Sequence, residues 1–506
     1  MLRPLSATSW NYSTAAHLLN RAGFGGLPGE IEKLAAVSPG EAVASLVDFQ
    51  KIPDNADPPP AWAKPDPERV EKVKNLLRMR KENDDSTKTP EQKREFYDKQ
   101  REMVQQYRRE EYQDIQGMRY DWLKRMATTS RPFQEKLTLF WHGHFATSVA
   151  KVKEPYFMWL QIDTFRRKGT GNWLDLLEAV ATDPAMLIWL DQALSRRQHP
   201  NENFARESME LFTLGEGHYT EKDVTEAARA MTGWSLDRIH EQYVYRERLH
   251  DDGVKTILGK VGNFDGRDVL EIIVQQPQAA RFITKKLWQF FASDNPSDKL
   301  IDAMADEFRS GGNNFAPFLK TMLASEEFYA ADVMHTQIKS PVQWLVNSVR
   351  LLQRNMLPPI VSTQMTRTLG QDLLAPPNVK GWDGGLSWIT TNTLLARYNQ
   401  AAILVMGRGN LGAEGDKAAK KRIAERANQA ANMLRPANVS DIISDSERGD
   451  KAKVMATLEK QFIQSQLTEA HRQVLRDYLE PLNELTDQDI RHAIRLLMST
   501  PEYQVT

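Results

Sequence analysis

Cysteine is absent from this 506-residue chain. Its absence excludes disulfides, thiolate metal sites, cysteine nucleophiles and iron–sulfur clusters, so a transition metal would have to sit on His, Asp, Glu or backbone oxygen. Long apolar runs are also missing. Nothing approaches the ~18 residues that a membrane-spanning helix needs, so no membrane span is expected. There is no excess of one charge either: 66 Lys and Arg stand against 67 Asp and Glu. A nucleic-acid binder usually shows a basic excess or stripe, so nucleic acid is not an expected partner. The start of the chain, Met1-Leu2-Arg3-Pro4-Leu5-Ser6, lacks the apolar stretch of a signal peptide, and the expected location is cytoplasmic. No P-loop, His-Glu-x-x-His or Gly-x-Ser-x-Gly motif occurs. The cluster Gly23-Phe24-Gly25-Gly26 follows a helical pattern rather than a strand, so it is not a dinucleotide fingerprint.

What is present is helical periodicity. Apolar residues recur at three- and four-residue steps over 133–145, 203–214, 222–233, 280–291, 341–353 and 391–406. The exception is Tyr243-Val244-Tyr245 to Leu249, then Asp251-Asp252-Gly253, then Lys255 to Leu258, which reads as one small β-hairpin. The predicted fold class is all-α: a large multi-helix globular domain with a minor β-hairpin and a protruding charged arm. Residues 53–67 are Pro-rich and read as an extended linker. Asp66 to Gln116 holds 13 acidic and 13 basic residues in 51, the pattern of a solvent-exposed helix laced with ion pairs. Asn83-Asp84-Asp85-Ser86-Thr87 and Pro90 predict an arm in two pieces. The expected organisation is 1–52, an N-terminal helical part of the core; 53–118, the linker and arm; 119–410, the helical core with the site; and 411–506, a helical segment packed on that core.

Six of the ten histidines lie between positions 142 and 250. The tightest group is Trp141-His142-Gly143-His144-Phe145. In a continuous helix the two imidazoles sit about 200° apart, and they share a metal only if the helix distorts or ends near Gly143. A core role and a ligand role are both open. Asn201 to Gly215 reads as a capped helix carrying Glu207 and Glu210 three residues apart, the spacing of helical carboxylate ligands or of an acid/base pair. Their apolar neighbours Phe204, Met209, Leu211 and Phe212 imply burial, and a buried carboxylate must be paired or bound. A structural ion-pair network is the alternative, with Arg206 set four residues before Glu210. His218 rides on a Gly215–Gly217 turn beside this helix. Asp223 reads as half of a capping box with Thr220, and His250-Asp251 as a turn or a further ligand pair. Trp382 and Trp388, in a Gly- and Pro-rich loop, suit the wall of a sugar or peptide site, or they plug the helical core. Arg397 follows on the next helix.

Several stretches together resemble the bacterial "domain of unknown function 1800" family. They are Ala16-His17-Leu18-Leu19-Asn20-Arg21-Ala22-Gly23-Phe24-Gly25, Arg131-Pro132-Phe133 through Phe145, Asn201 to Gly215 and Tyr219-Thr220 with Asp223-Val224. Leu258-Gly259 with Phe264-Asp265-Gly266 and Pro376-Pro377-Asn378-Val379-Lys380-Gly381-Trp382 complete the set. The resemblance spans about 15–505 and implies no established reaction. It does imply a partner, because such proteins are often encoded beside a secreted phosphatase- or sulfatase-like protein. Export with that partner, to the periplasm or beyond, is then the alternative to a cytoplasmic location.

These observations set two expectations. The first is a metal-dependent enzyme, hydrolase rather than oxidoreductase, acting on carbohydrate or another polymer. A divalent zinc or iron ion would sit on His142, His144, Glu207 and Glu210. His218 would serve as acid, Arg206 would orient the substrate, and Asn203, Trp382, Trp388 and Arg397 would contact it. The second is a non-catalytic helical partner or chaperone of the phosphatase-like neighbour, docked through the charged arm.

Overall fold

A computed structural model describes residues 2–64, 68, 70, 71, 74, 75, 78, 79, 89–411 and 418–506. Its helices begin where local chemistry allows a helix to begin. Asn11 caps Tyr12–Ala22, accepting from the Ser13 and Thr14 amides. Thr89 and Gln92 form a reciprocal capping box at the start of Pro90–Thr128, and Thr390 and Thr393 do the same for Thr391–Met406. Proline occupies the first turn of Pro132–His144, Pro277–Phe291 and Pro341–Leu351, where its missing N–H costs nothing. One large cluster of buried hydrophobic residues runs from Leu2 to Tyr503, and Ala15, Ala16 and Ile31 form a small second one. Among the described residues, no helix is long and apolar enough to cross a membrane.

Two small two-stranded antiparallel sheets are the only sheets among the described residues, so the fold is all-α as expected. The hairpin itself differs from the predicted one. Gln242–Tyr245 and Lys255–Ile257 are strands, but they do not pair with each other. Gln242–Tyr245 pairs with Trp234–Asp237, and Lys255–Ile257 pairs with Lys260–Gly262. The reason lies in the turns. Leu258 and Gly259 both take positive φ (47° and 79°), the geometry of a tight two-residue hairpin loop. The Asp251-Asp252-Gly253 turn is drawn off instead by Arg229, whose guanidinium holds the Asp251 carboxylate at 2.9 and 3.1 Å.

The helix Pro90–Thr128 has 39 residues and so spans about 58 Å at ~1.5 Å per residue. None of its residues before Ile115 is buried, whereas Ile115, Met118, Trp122, Leu123 and Met126 enter the core. It therefore runs from an exposed outer stretch into the body of the molecule. The break predicted at Asn83–Thr87 lies outside the described residues. The helix expected over 203–214 is Glu202–Glu210. Past Glu210 the chain tightens into a wider turn, with the Phe212 amide donating to the Glu207 carbonyl and the Leu214 amide to the Met209 carbonyl.

Candidate functional site

The site is built around the end of the helix Pro132–His144, whose residues are buried along almost its whole length. Pressed against that end is the loop that contains Trp382. Gly381 has φ +82°, and a Cβ there would lie 2.2 Å from the Gly143 carbonyl oxygen, so only glycine permits this approach. His142 anchors the same loop. The Leu374 amide donates to its Nε2 at 3.1 Å, and Leu374 itself holds a left-handed φ of 64°. The Leu374 carbonyl accepts from the Val149 amide at 2.9 Å. One residue earlier, Arg119 donates to the Leu373 carbonyl at 2.6 Å and pairs with Asp372 at 3.2 Å. Trp382 then lies half-buried with its ring 5.5 Å from the His142 ring.

His144 faces another way. Its Nε2 donates to the Phe212 carbonyl at 3.0 Å, and its ring stacks on Phe140 at 5.7 Å and 12°. This bond ties the His142 helix to the turn after Glu210. Both imidazoles are neutral. Burial, then Arg119, pushes His142 down to about 3, and burial, then Lys286, pushes His144 down to about 3. The helix continues through both residues, so the two rings project in different directions. Each has one nitrogen engaged by the main chain, and the Nδ1 of His142 is buried with no partner. Among the described residues, no three or more His, Asp or Glu side chains group so as to hold a metal ion. The donor set expected from the sequence therefore does not form a shared zinc or iron site in this arrangement.

The carboxylates are better placed for work. Glu207 and Glu210 are both half-buried on Glu202–Glu210. The Tyr219 hydroxyl donates to Glu210 Oε2 at 2.7 Å, and burial and that carboxylate push Tyr219 up to about 12. The Glu207 carboxyl is raised above its ordinary value by burial first and by Glu210 second, with Arg206 and Lys380 opposing. Lys380 reaches the pair from the Trp382 loop. Lys286, on Pro277–Phe291, reaches solvent but is held below the ordinary lysine value by the protein around it, then by Lys285 and Lys380. Its ammonium lies 5.6 Å from the Phe282 ring, which in turn lies 6.3 Å from the His144 ring. Chain segments around 142, 208, 286 and 380 thus come together, with carboxylates and lysines at the open side and imidazoles beneath.

The remaining candidates divide. Arg206 is committed to a two-pronged pair with Glu221, at 2.7 Å to each oxygen. Asn203 is exposed, with its amide 3.4 Å from the Leu190 carbonyl. His218 is exposed on the glycine turn, next to Tyr219. Trp388 is buried beside Gly370. Arg397 is turned into the core, donating to the Lys339 carbonyl at 2.8 Å and to Gln504 at 3.1 Å, so the structure does not bring it to Trp382. Asp223 is the capping partner expected, and it also accepts the Leu258 amide at 2.7 Å. His250 is buried on the Thr232 carbonyl at 3.0 Å. Sequence reasoning missed Lys286 as a site residue because nothing local separates it from its neighbour Lys285. A cavity of about 680 Å³ lies elsewhere, between the first helices and the end of the long helix, lined by Gly23, Gly25, Pro132 and Arg350 among others.

The fold and site define a large all-α protein in which a carboxylate pair and two lysines lie near the end of the helix that carries His142 and His144. The chain belongs to the family described as protein of unknown function (DUF1800), whose model matches residues 17–505. No curated protein and no solved structure matches it.

Proposed function

We propose that Glu207 and Glu210 form the acid/base pair of a hydrolase acting on carbohydrate or another polymer. One observation carries this reading. Two carboxylates on one helix face have unlike surroundings, Glu207 raised by burial and its neighbour, Glu210 bonded to Tyr219. Unequal environments divide the roles of proton donor and proton acceptor between paired carboxyls. Glu207, whose carboxyl is raised, takes the role of proton donor to the leaving oxygen in this reading. Glu210, positioned by Tyr219, takes a proton from the attacking water. Trp382 offers a half-exposed aromatic face for a sugar ring, and His142, Arg119 and Gly381 are positioning residues that hold the Trp382 loop, from which Lys380 acts on Glu207. His218 is exposed next to Tyr219, and Arg206 is held by Glu221. The test is release of new chain ends from a panel of polysaccharides and polypeptides by the purified protein. E207Q is expected to lower the rate at least ~100-fold, and wild-type protein inert on the whole panel would contradict the reading.

A zinc- or iron-dependent form of this chemistry would require His142 and His144 to leave their present partners. Elemental analysis of the purified protein and of H144A tests it: stoichiometric metal that is lost in the variant is the supporting result.

A second reading, a non-catalytic partner of a phosphatase- or sulfatase-like protein, rests on the outer stretch of the long helix. Tyr97 and Tyr112 are exposed there, and no residue is buried before Ile115. Co-expression of the two proteins followed by size-exclusion chromatography tests it, with a stable complex expected for the full chain.

A further inference from the structure

The chain is balanced in charge as a whole, but two of its segments are not. Residues 192–201 contain Arg196 and Arg197 and no acidic residue, and residues 242–250 contain Arg246 and Arg248 with Glu247 as the one acid. All four arginines are exposed, as is His199. Among the described residues none of the four guanidiniums has an ion pair or a side-chain hydrogen bond. Three of the flanking acids already have partners: Asp191 holds Lys151 at 2.7 Å, Glu202 reaches Arg206 at 3.4 Å and Asp251 holds Arg229 at 2.9 Å.

Main-chain hydrogen bonds bring the two segments together. Arg196 and His199 pair across a two-residue turn, and within that turn the Arg197 amide donates to the Leu249 carbonyl at 2.8 Å. The Leu249 amide in turn donates to the Arg246 carbonyl at 2.9 Å. With ~3.8 Å between consecutive Cα atoms, the Cα atoms of Arg197 and Arg248 lie within ~11 Å of each other. Both segments are also fastened to the helix that carries Glu207 and Glu210. Asn201, the cap of Glu202–Glu210, donates its amide to Ser195 Oγ and its side chain to the Leu190 carbonyl, each at 3.0 Å. Tyr245 pairs with Trp234, whose ring lies 6.2 Å from that of Phe204 on the same helix. Glu207 lies five residues into this helix, about 7.5 Å along its axis. Exposed Leu194 and Tyr245 belong to the same two segments.

We propose that Arg196, Arg197, Arg246 and Arg248 form the docking surface for an acidic polysaccharide, a polyuronate in chemistry, and so narrow the polymer offered to the Glu207 pair. The proposal rests on the reading of that pair for cleavage, but not for binding. A guanidinium meets a planar carboxylate through two parallel hydrogen bonds, and no carboxylate of the protein has to be displaced from these four first. Spaced carboxylates suit the surface better than a nucleic acid. A duplex carries one charge per ~1.7 Å, and Glu247, set between Arg246 and Arg248, opposes so dense a row.

The experiment uses the full chain. Calorimetric titration measures binding of polygalacturonate, with dextran as the neutral polymer and with single-stranded DNA and anionic lipid vesicles as the other polyanions. Wild-type protein is expected to bind polygalacturonate, to ignore dextran, and to bind more weakly as sodium chloride rises from ~0.05 to ~0.5 M. R196Q/R197Q and R246Q/R248Q are each expected to weaken binding at least ~5-fold with an unchanged melting midpoint, since the four side chains hold nothing in the fold. K168Q/K299Q, which removes two exposed cations on other elements, is expected to bind as wild type does. Undiminished affinity in both arginine double variants would overturn the proposal, as would equal binding of dextran or tighter binding of DNA or vesicles. The two readings fail separately. Polygalacturonate that is bound through the arginines but never cut counts against the Glu207 pair alone, whereas cleavage of a neutral polymer without polygalacturonate binding counts against the arginine surface alone.

Discussion

His142 illustrates how a residue type that suggests chemistry can serve architecture. Its Nε2 is the acceptor for the Leu374 amide, and its ring packs between Trp122 at 5.4 Å and Trp382 at 5.5 Å. H142A leaves a buried N–H unpaired and opens a void between the two rings. It is expected to cost about 2–4 kcal/mol, read as a lower urea midpoint. The buried imidazoles also set an acid limit. His142 and His144 are neutral down to about 3 in the folded protein but take a proton near ~6.5 when unfolded. The unfolded chain binds more protons in that window, so stability falls as pH drops from ~6.5 towards about 3. Lys136 and Lys339 act with the same sign at higher pH. They stay neutral above about 7 when folded and lose their protons near ~10.4 when unfolded, so their share of stability rises from about 7 towards ~10.4. K136M, which removes a buried ammonium, is therefore expected to gain most over wild type near pH 7 and least towards pH 10, as paired thermal melts across that range would show.

At the scale of elements, the long helix and the Trp382 loop behave differently. The outer stretch of Pro90–Thr128 buries nothing before Ile115. Proline at exposed Gln105 is expected to leave the main melting transition within ~2 °C, although a proline inside a helix costs ~3 kcal/mol locally. Trp122→Ala, in the same helix but 3% exposed, is expected to cost about 3–5 kcal/mol. G381A forces a Cβ to 2.2 Å from the Gly143 oxygen at a positive φ, so the loop must lift from the helix end. The expected sign is a red-shifted Trp fluorescence as Trp382 leaves its packing. Element boundaries were legible where they are set locally: Thr390 with Thr393 starts the helix 391–406, and Pro132 starts the His142 helix. The strand partners were not, because Gln242–Tyr245 finds Trp234–Asp237 only through a turn at Arg238–Glu241, where Glu241 holds a φ of 55°.

Across the whole molecule, the difference between local and distant information decides what the sequence could show. The carboxylate pair is legible because three residues of helix fix its geometry. The neighbours that define its chemistry are not, since Lys286 and Lys380 arrive from segments roughly 80 and 170 positions away, a matter of tertiary packing that no local pattern encodes. Arg397 shows the converse. Placed by sequence next to the Trp loop, it is drawn instead to the Lys339 carbonyl and Gln504, because a guanidinium entering the core must meet acceptors. The all-α class, by contrast, follows from periodicity repeated along the entire chain. The proposed hydrolysis requires Glu207 and Glu210 to work as one unit. Its most direct test is the rate of polymer cleavage by wild type, E207Q, E210Q and the double variant. If the two carboxyls act in the same step, the double variant is no slower than the slower single one. Single variants that both keep the wild-type rate would contradict that joint role.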